Sequence, residues 1–63
     1  MIVHFNHITN TCYVRVEPDR ASEVADQLIA HDIPHEQLVL SCKDLLYKNI
    51  PLEYESVLTD LFL

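Results

Sequence analysis

The chain has 63 residues, of which 49% are apolar, and its formal net charge at pH 7 is −6. A chain this short forms one small domain, residues 1–63, and its apolar content is that of a folded protein rather than of a disordered tail. Glycine is absent. Its absence excludes a P-loop, a GxGxxG dinucleotide turn and a GxSxG nucleophile elbow, all of which need glycine at fixed positions.

Residues 2–8 and 11–16 show the alternation of apolar and polar side chains that predicts β-strands. The link between them, Thr9-Asn10, contains an asparagine, which tolerates the positive φ of a tight turn. We therefore predict an N-terminal β-hairpin over residues 2–16. Its apolar side chains occupy every second position: Val3, Phe5, Cys12, Val14 and Val16.

The next segment has the strongest helical pattern. Pro18 and Asp19 mark its start, with Asp19 as the expected N-cap. Apolar residues then recur at helical spacing on one face, namely Ala21, Val24, Ala25, Leu28 and Ile29. On the opposite face lie Asp19, Glu23 and Asp26 at i, i+4 and i+7, which we name the acidic stripe. No basic residue at i+4 neutralises the acidic stripe.

A short motif, [Asp/Asn]-Ile-Pro-x-Glu, occurs twice, at residues 32–36 and 49–53. A capping side chain, a proline in the first turn and an acid near the positive helix end are typical of helix starts. The motif therefore predicts helices over 34–48 and 51–62. The expected fold is α+β: an N-terminal β-hairpin followed by three short helices, with an acidic helical part over residues 19–63.

The middle of the chain also permits a second interpretation. Residues 37–41 could form a buried third strand, followed by a helix that Ser41 caps. The arrangement would then be ββαβα(α). The repeated helix-start motif favours the helix over 34–48.

Histidine and cysteine residues suggest a metal or catalytic site only at first sight. His31 and His35 have the spacing of two ligands on one helical face, with Cys42 seven residues further on. Pro34 lies between the two histidines and prevents them from sharing a helix face. Cys42 falls on the apolar face of the predicted helix 34–48, where a thiol stays protonated. We expect no metal, no cofactor and no enzymatic activity.

Apolar side chains that depart from the main helix faces point to a contact surface. On the predicted helix 34–48, Leu40 and Tyr47 form an i, i+7 pair away from the apolar face. A middle helix that buries two faces would explain this pair equally well. As a surface, the pair would be an apolar patch ringed by acids, which is typical of a dimer or partner interface. Tyr54 could add an aromatic anchor. The predicted partner-binding residues are Asp19, Glu23, Asp26, Leu40, Tyr47 and Tyr54.

The charge distribution indicates which partner this surface would bind. Every acidic residue lies at or after position 17, which argues against direct nucleic-acid binding and favours a larger protein with a basic surface. Carboxylates one helical turn apart, roughly 5–6 Å, approach the spacing of phosphates along a nucleic-acid strand. The acidic stripe could thus mimic a nucleic acid, although an acidic helix face is more often simply solvated.

In size, acidity and lack of catalytic motifs, the chain resembles the small inhibitors that phages make against host or CRISPR machinery. The resemblance implies an inhibitor or adaptor that blocks a nucleic-acid-handling protein. Two alternatives stay open: a small dimeric transcriptional regulator or antitoxin whose last two helices form a helix-turn-helix, and an assembly module that dimerises through a hairpin edge. No apolar run approaches the roughly 20 residues of a membrane span. The first residues lack the features of a signal peptide, so we expect a cytoplasmic protein.

Overall fold

The computed structural model of the chain describes residues 1–40 and 43–63, and it has the predicted α+β fold. The strands are β1 (Ile2–Asn6), β2 (Thr11–Val16), β3 (Glu36–Val39) and β4 (Leu45–Pro51), and the helices are α1 (Pro18–Ala30) and α2 (Glu55–Phe62). A 3-10 turn over Leu52–Tyr54 leads into α2. The strands form one antiparallel sheet in the order β1-β2-β4-β3. None of the helices in these described ranges is long and apolar enough to cross a membrane.

The N-terminal hairpin is confirmed, but its first strand ends two residues earlier than predicted. The Asn6 side-chain oxygen accepts hydrogen bonds from the backbone N–H groups of Ile8, at 3.0 Å, and Thr9, at 3.2 Å. This local bonding starts the turn at once, because it offers the backbone an alternative to the strand ladder. Asn10 completes the turn with φ 57°, and Asn6 pairs with Thr11 across the hairpin.

Helix α1 confirms the predicted second element and corrects its cap. The helix begins at Pro18, and Glu17 occupies the N-cap position without a side-chain capping bond. Asp19 therefore lies in the first turn and is not the N-cap. Proline suits the first helical position because its φ is already helical and its missing N–H would have no partner there. The buried face of α1 consists of Ala21, Val24 and Leu28.

The first copy of the repeated motif ends a helix instead of starting one. Asp32 has φ 54°, and its N–H donates to the Ile29 carbonyl at 3.0 Å. The Ile33 N–H donates to the Leu28 carbonyl at 2.9 Å. These two bonds form a Schellman motif, which needs a left-handed residue just after the helix. Aspartate takes that position in a chain without glycine, and buried Ile33 joins buried Leu28 in the core.

The predicted helix over 34–48 is wrong. Its described residues lie in β3, in the segments that flank β3 and in the first part of β4. The alternative strand over 37–41 agrees closely in position with β3, which spans Glu36–Val39, but the side chains of β3 are exposed and not buried as expected. The fourth strand was not predicted. Ser41 and Cys42, the predicted cap and apolar-face thiol, lie outside the described residues. Two predictions that relied on this helix also change. The described residues of the predicted helix-turn-helix form the β3–β4 hairpin followed by α2. Because β2 pairs with β4, the N-terminal hairpin keeps an open edge only at β1.

A β-bulge in β4 explains why this strand was hard to recognise. Cys12 pairs with Ile50 and Val14 with Tyr47, so the one residue between them on β2 faces two residues on β4. One of those two, Asn49, has φ 57°, as expected for the left-handed residue of such a bulge. Tyr47 and Ile50 are therefore both buried although they are three residues apart. This spacing is helical, not that of a regular strand.

At the second copy of the motif, a helical segment begins close to the predicted position. Asn49 lies in the bulge, Ile50 is buried, and Pro51 ends β4 before the 3-10 turn and α2. Helical structure thus runs over 52–62, close to the predicted 51–62. What the two copies share is a left-handed Asp or Asn followed by a buried isoleucine. The common pattern reflects a change of chain direction next to a core contact.

Both helices pack on the same face of the sheet, which gives a two-layer molecule. A single core unites the inward side chains of the sheet with those of the helices. Its buried members are Cys12, Val14, Val16, Ala21, Val24, Leu28, Ile33, Tyr47, Ile50 and Leu58. The opposite face of the sheet is not covered by any helix of the described ranges.

Candidate functional surfaces

The acidic stripe lies on the outer face of α1, as predicted. Asp19, Glu23 and Asp26 are all exposed, opposite the buried face of the helix. Arg20 comes within 3.8 Å of Glu23, measured from Nε to Oε2, but both side chains are about half exposed or more. An exposed pair of this kind contributes little attraction. Within residues 1–40 and 43–63, Asp19 and Asp26 form no ion pair. The stripe therefore presents largely uncompensated negative charge to solvent.

Negative charge is concentrated in the helical layer of the molecule. Eight of the ten acidic residues lie in the helices, in the 3-10 turn or within two residues of the ends of α1, and Arg20 is the basic residue among them. These eight are Glu17, Asp19, Glu23, Asp26, Asp32, Glu53, Glu55 and Asp60. A surface dominated by one sign of charge attracts partners of the opposite sign over a distance of about a Debye length.

Of the three apolar and aromatic residues predicted beside the stripe, one is buried and two are half-buried. Tyr47 is only 2% exposed, and its hydroxyl donates to the Ala21 carbonyl at 3.3 Å. Burial raises the pKa of Tyr47. Leu40 is half-buried in the connection after β3, where its N–H donates to the Asp44 carbonyl. The predicted Leu40–Tyr47 surface pair is wrong, because Tyr47 lies in β4 with its side chain buried in the core. Tyr54 is half-buried against the core.

A second exposed surface, which was not predicted from the sequence, is the uncovered side of the sheet. We name it the open sheet face and define it by the outward side chains of all four strands: Ile2, His4, Tyr13, Arg15, Glu36, Leu38, Leu46 and Lys48. Alternation along the first two strands already placed His4, Tyr13 and Arg15 on one side. The other half could not be assigned without β4.

The strand register arranges the open sheet face in two rows that cross the sheet from β1 to β3. The first row runs Ile2, Arg15, Leu46, Leu38 through successive register pairs. The second row runs His4, Tyr13, Lys48, Glu36, with the bulge between Tyr13 and Lys48. Each row thus begins at one edge strand and ends at the other.

Contacts within the open sheet face balance its charges. Arg15 Nη2 lies 3.1 Å from Asp44 Oδ2, and Lys48 is the register partner of Glu36. The His4 and Tyr13 rings stack with centroids 5.0 Å apart. Tyr13 and Leu46 are half-buried by these neighbours without belonging to the core. With Asp44, which pairs with Arg15 at its border, the face has two basic and two acidic groups and so a near-zero net charge beside its apolar and aromatic side chains.

His35 and His7 make local contacts within the fold, and Cys12 is buried in the core. The Nδ1 atom of His35 lies 2.8 Å from the Ile33 carbonyl oxygen, and the ring packs edge-on against Tyr47. His7 reaches Glu55 at 3.6 Å across an open cleft between the hairpin loop and the start of α2. Burial, and secondarily the charge of Glu55, raises the pKa of the Cys12 thiol. Among residues 1–40 and 43–63, no three His, Cys, Asp or Glu side chains are grouped to hold a metal ion.

Comparison of the chain with protein-family models, with curated proteins and with solved structures finds no match.

Proposed function

We propose that this protein is a non-enzymatic, cytoplasmic binding protein that inhibits a larger nucleic-acid-handling protein. The acidic stripe would occupy a basic groove on that partner and exclude nucleic acid from it, in the manner of small phage-encoded inhibitors of host or CRISPR machinery. The observation that carries the proposal is the exposure of Asp19, Glu23 and Asp26 on one face of α1, at the centre of the acidic helical layer.

Helix geometry supports the match between the stripe and a phosphate-binding groove. Neighbouring stripe carboxylates are separated by about one helical turn, roughly 5–6 Å between Cβ atoms. From Asp19 to Asp26 the helix rises about 10 Å. The stripe is held on a helix whose other face is buried, so the partner would meet a preformed row of charges rather than a flexible acidic tail.

The charge of the whole helical layer would assist the encounter. Long-range attraction between an acidic surface and a basic groove raises the association rate and falls as salt screens it. Binding should therefore weaken strongly with ionic strength. The same charge would repel nucleic acid itself, which supports a protein partner.

The experiment begins with capture of binding proteins from the source cell at low and high salt, identified by mass spectrometry. The captured protein is then purified, and its affinity for nucleic acid is measured with and without this chain. The proposal expects competition between the chain and nucleic acid for one basic groove. A captured protein that binds both at once would contradict it.

A matched pair of variants tests the stripe directly. Asp19→Lys with Asp26→Lys should weaken binding to the captured protein by at least about a hundredfold, if each reversal costs more than about 1.4 kcal/mol. Glu53→Lys with Asp60→Lys makes the same change in net charge outside the stripe and should have a much smaller effect. Equal losses in the two double variants would show that net charge alone matters and would reject the stripe as the contact.

A second candidate function, a dimeric assembly module, is favoured by a different observation. The open sheet face is an apolar and aromatic surface of near-zero charge on an otherwise acidic molecule. Such a surface suits association between folded proteins. Dimerisation would be compatible with inhibition, since it would use the layer opposite the acidic stripe.

A further inference from the structure

We propose that the open sheet face is the interface for a second copy of this chain. In the proposed dimer two sheets pack face to face about a two-fold axis parallel to the strands. The helices of each copy then form the outer layers, and the sheets lie about 10 Å apart, as in aligned sheet packing. The inference depends on the register of the sheet and is independent of the acidic stripe.

The first row of the face is self-complementary under this symmetry. The axis places β1 of one copy over β3 of the other, because it reverses the strand order across the sheet. Ile2, which is 56% exposed, then lies against Leu38 of the second copy, which is 43% exposed. The aliphatic part of Arg15 lies against Leu46 of the second copy. Each apolar contact occurs twice, as an isologous interface requires.

The second row is complementary in charge and aromatic character. His4 lies against Glu36 of the second copy, and the Tyr13 ring against Lys48 of the second copy. An ammonium group over an aromatic ring is an attractive cation–π arrangement. No two groups of like charge are opposed within either row. Each row is therefore complementary to the same row of a second copy read in the opposite direction.

Charge also explains why the open sheet face, and not the helical layer, can approach the same face of a second copy. Each chain carries a net charge of −6, so contact between helical layers would oppose many carboxylates. On the open sheet face, Arg15 is paired with Asp44, and Lys48 lies beside its register partner Glu36, whose carboxylate accepts a hydrogen bond from Asn49. The proposed dimer keeps the two acidic layers on opposite outer surfaces, where their repulsion is weakest.

The same balance makes nucleic acid a poor occupant of this face. Stacked aromatic rings and basic residues on a sheet can bind single strands when the groove around them is positively charged. Here Arg15 is paired with Asp44, and the acidic Glu36 is the register partner of Lys48, so the face has no net positive charge to attract phosphates. A second copy would cover the apolar and aromatic side chains of the face and place groups of opposite character against its charged ones.

Sedimentation over a wide range of concentrations tests the inference with the full chain. We expect a monomer–dimer equilibrium. Leu38→Glu should weaken the dimer by more than about tenfold, because an isologous contact loses each apolar pair twice. The matched control is Ile8→Glu, which adds the same charge in the hairpin loop at a side chain that is 94% exposed. It should leave the equilibrium unchanged.

A mixing experiment tests the geometry of the dimer. The Ile2→Lys and Leu38→Glu chains should each dimerise weakly alone, but their mixture should form a heterodimer at least about tenfold tighter than either homodimer. In the heterodimer one lysine faces one glutamate, while the second pair keeps Ile2 against Leu38. Circular dichroism confirms that each variant is folded, and Ile2→Glu replaces Leu38→Glu in the first test if the latter does not fold.

Three results would overturn the inference. The wild-type chain could be monomeric at every concentration, Ile8→Glu could weaken the dimer as much as Leu38→Glu, or mixing could give no gain in affinity. Pairing through the β1 edge alone would be revealed by sensitivity to changes at Ile2 and not at Leu38. A dimer that fails to bind any basic protein would reject the proposed inhibition while leaving this interface intact.

Discussion

The Tyr47 hydroxyl donates a hydrogen bond to the Ala21 carbonyl oxygen at 3.3 Å and thereby joins β4 to the first turns of α1 inside the core. Tyr47 comes from the part of the chain that was predicted to be the helix over 34–48. In the folded protein it is one of the largest fully buried side chains. The bond satisfies the one polar atom that this side chain brings into the core, as buried hydroxyls require.

Removing this hydroxyl should lower the stability of the fold. Tyr47→Phe keeps the ring in place and deletes the bond, so the free energy of unfolding should fall by about 0.5–1.5 kcal/mol. Denaturant unfolding followed by circular dichroism measures the change. Tyr13→Phe is the control, because the Tyr13 side chain lies on the open sheet face and outside the core. If both variants lose the same stability, the Tyr47 bond has no special role.

Stability should also decrease at alkaline pH, and Tyr47 should account for part of the decrease. Burial raises the pKa of Tyr47 in the folded state, so the folded protein holds this proton more tightly than the unfolded chain does. The stabilisation is complete below the tyrosine pKa of the unfolded chain, about 10. It is lost as the pH rises through the higher folded-state pKa.

Thermal unfolding measured at neutral pH and at a pH above about 10, the tyrosine pKa in the unfolded chain, quantifies this loss. The raised pKa of Cys12 acts in the same direction, but it is present in wild type and in Tyr47→Phe alike. The difference between their pH profiles therefore isolates Tyr47. Parallel profiles over the whole range would contradict the assignment.

Glycine at the end of α1 should stabilise the protein. Asp32 has φ 54°, a conformation that costs an L-residue roughly 1–2 kcal/mol and glycine almost nothing. Its negative charge also lies at the negative end of the helix dipole. After the entropy cost of glycine, Asp32→Gly should gain about 0.5–1 kcal/mol, which raises Tm by a few degrees.

The same replacement inside the helix should have the opposite sign. Asp26→Gly removes the same charge at a helical position and should cost up to about 1 kcal/mol. Asp32→Asn removes the charge but keeps a side chain that tolerates positive φ, so it separates the electrostatic part from the conformational part. A loss of stability in Asp32→Gly would mean that this residue does not hold the left-handed conformation.

The bulge in β4 should not tolerate a β-branched residue. Asn49 has φ 57° and donates to Glu36 Oε2 at 2.6 Å. Asn49→Val introduces a side chain that strongly disfavours this backbone conformation and should lower stability by about 1–2 kcal/mol or more. Asn49→Gly keeps the conformation and should be close to neutral.

Comparison with Glu36→Ala separates the two contributions of Asn49. Glu36→Ala removes the exposed hydrogen bond and leaves the bulge backbone unchanged, so its effect should be well below that of Asn49→Val. Urea unfolding of the three variants measures the order. A large loss in Glu36→Ala and a small one in Asn49→Val would show that the side-chain bond, not the backbone, holds the bulge.

Local patterns alone determined the N-terminal hairpin, α1, the final helix and the acidic stripe. Alternation over 2–16 and helical spacing over 21–29 are set by neighbours within one or two turns, so each element can be recognised without its partners. The stripe follows from the same spacing, because residues that share the face of a helix are fixed once the helix is known.

Tertiary structure decided the middle of the chain. The spacing of Leu38, Leu45 and Leu46 is compatible with a helix. They lie in strands because β4 pairs with both β2 and β3 in the sheet. The bulge at Asn49 shifts the alternation by one residue, so Tyr47 and Ile50 face the same core at helical spacing. Pairing across more than thirty residues has no local signature in this segment, and the open sheet face depends on it. The surface proposed to bind a second copy therefore exists only in the folded protein, whereas the acidic stripe could be predicted from residues 19–26.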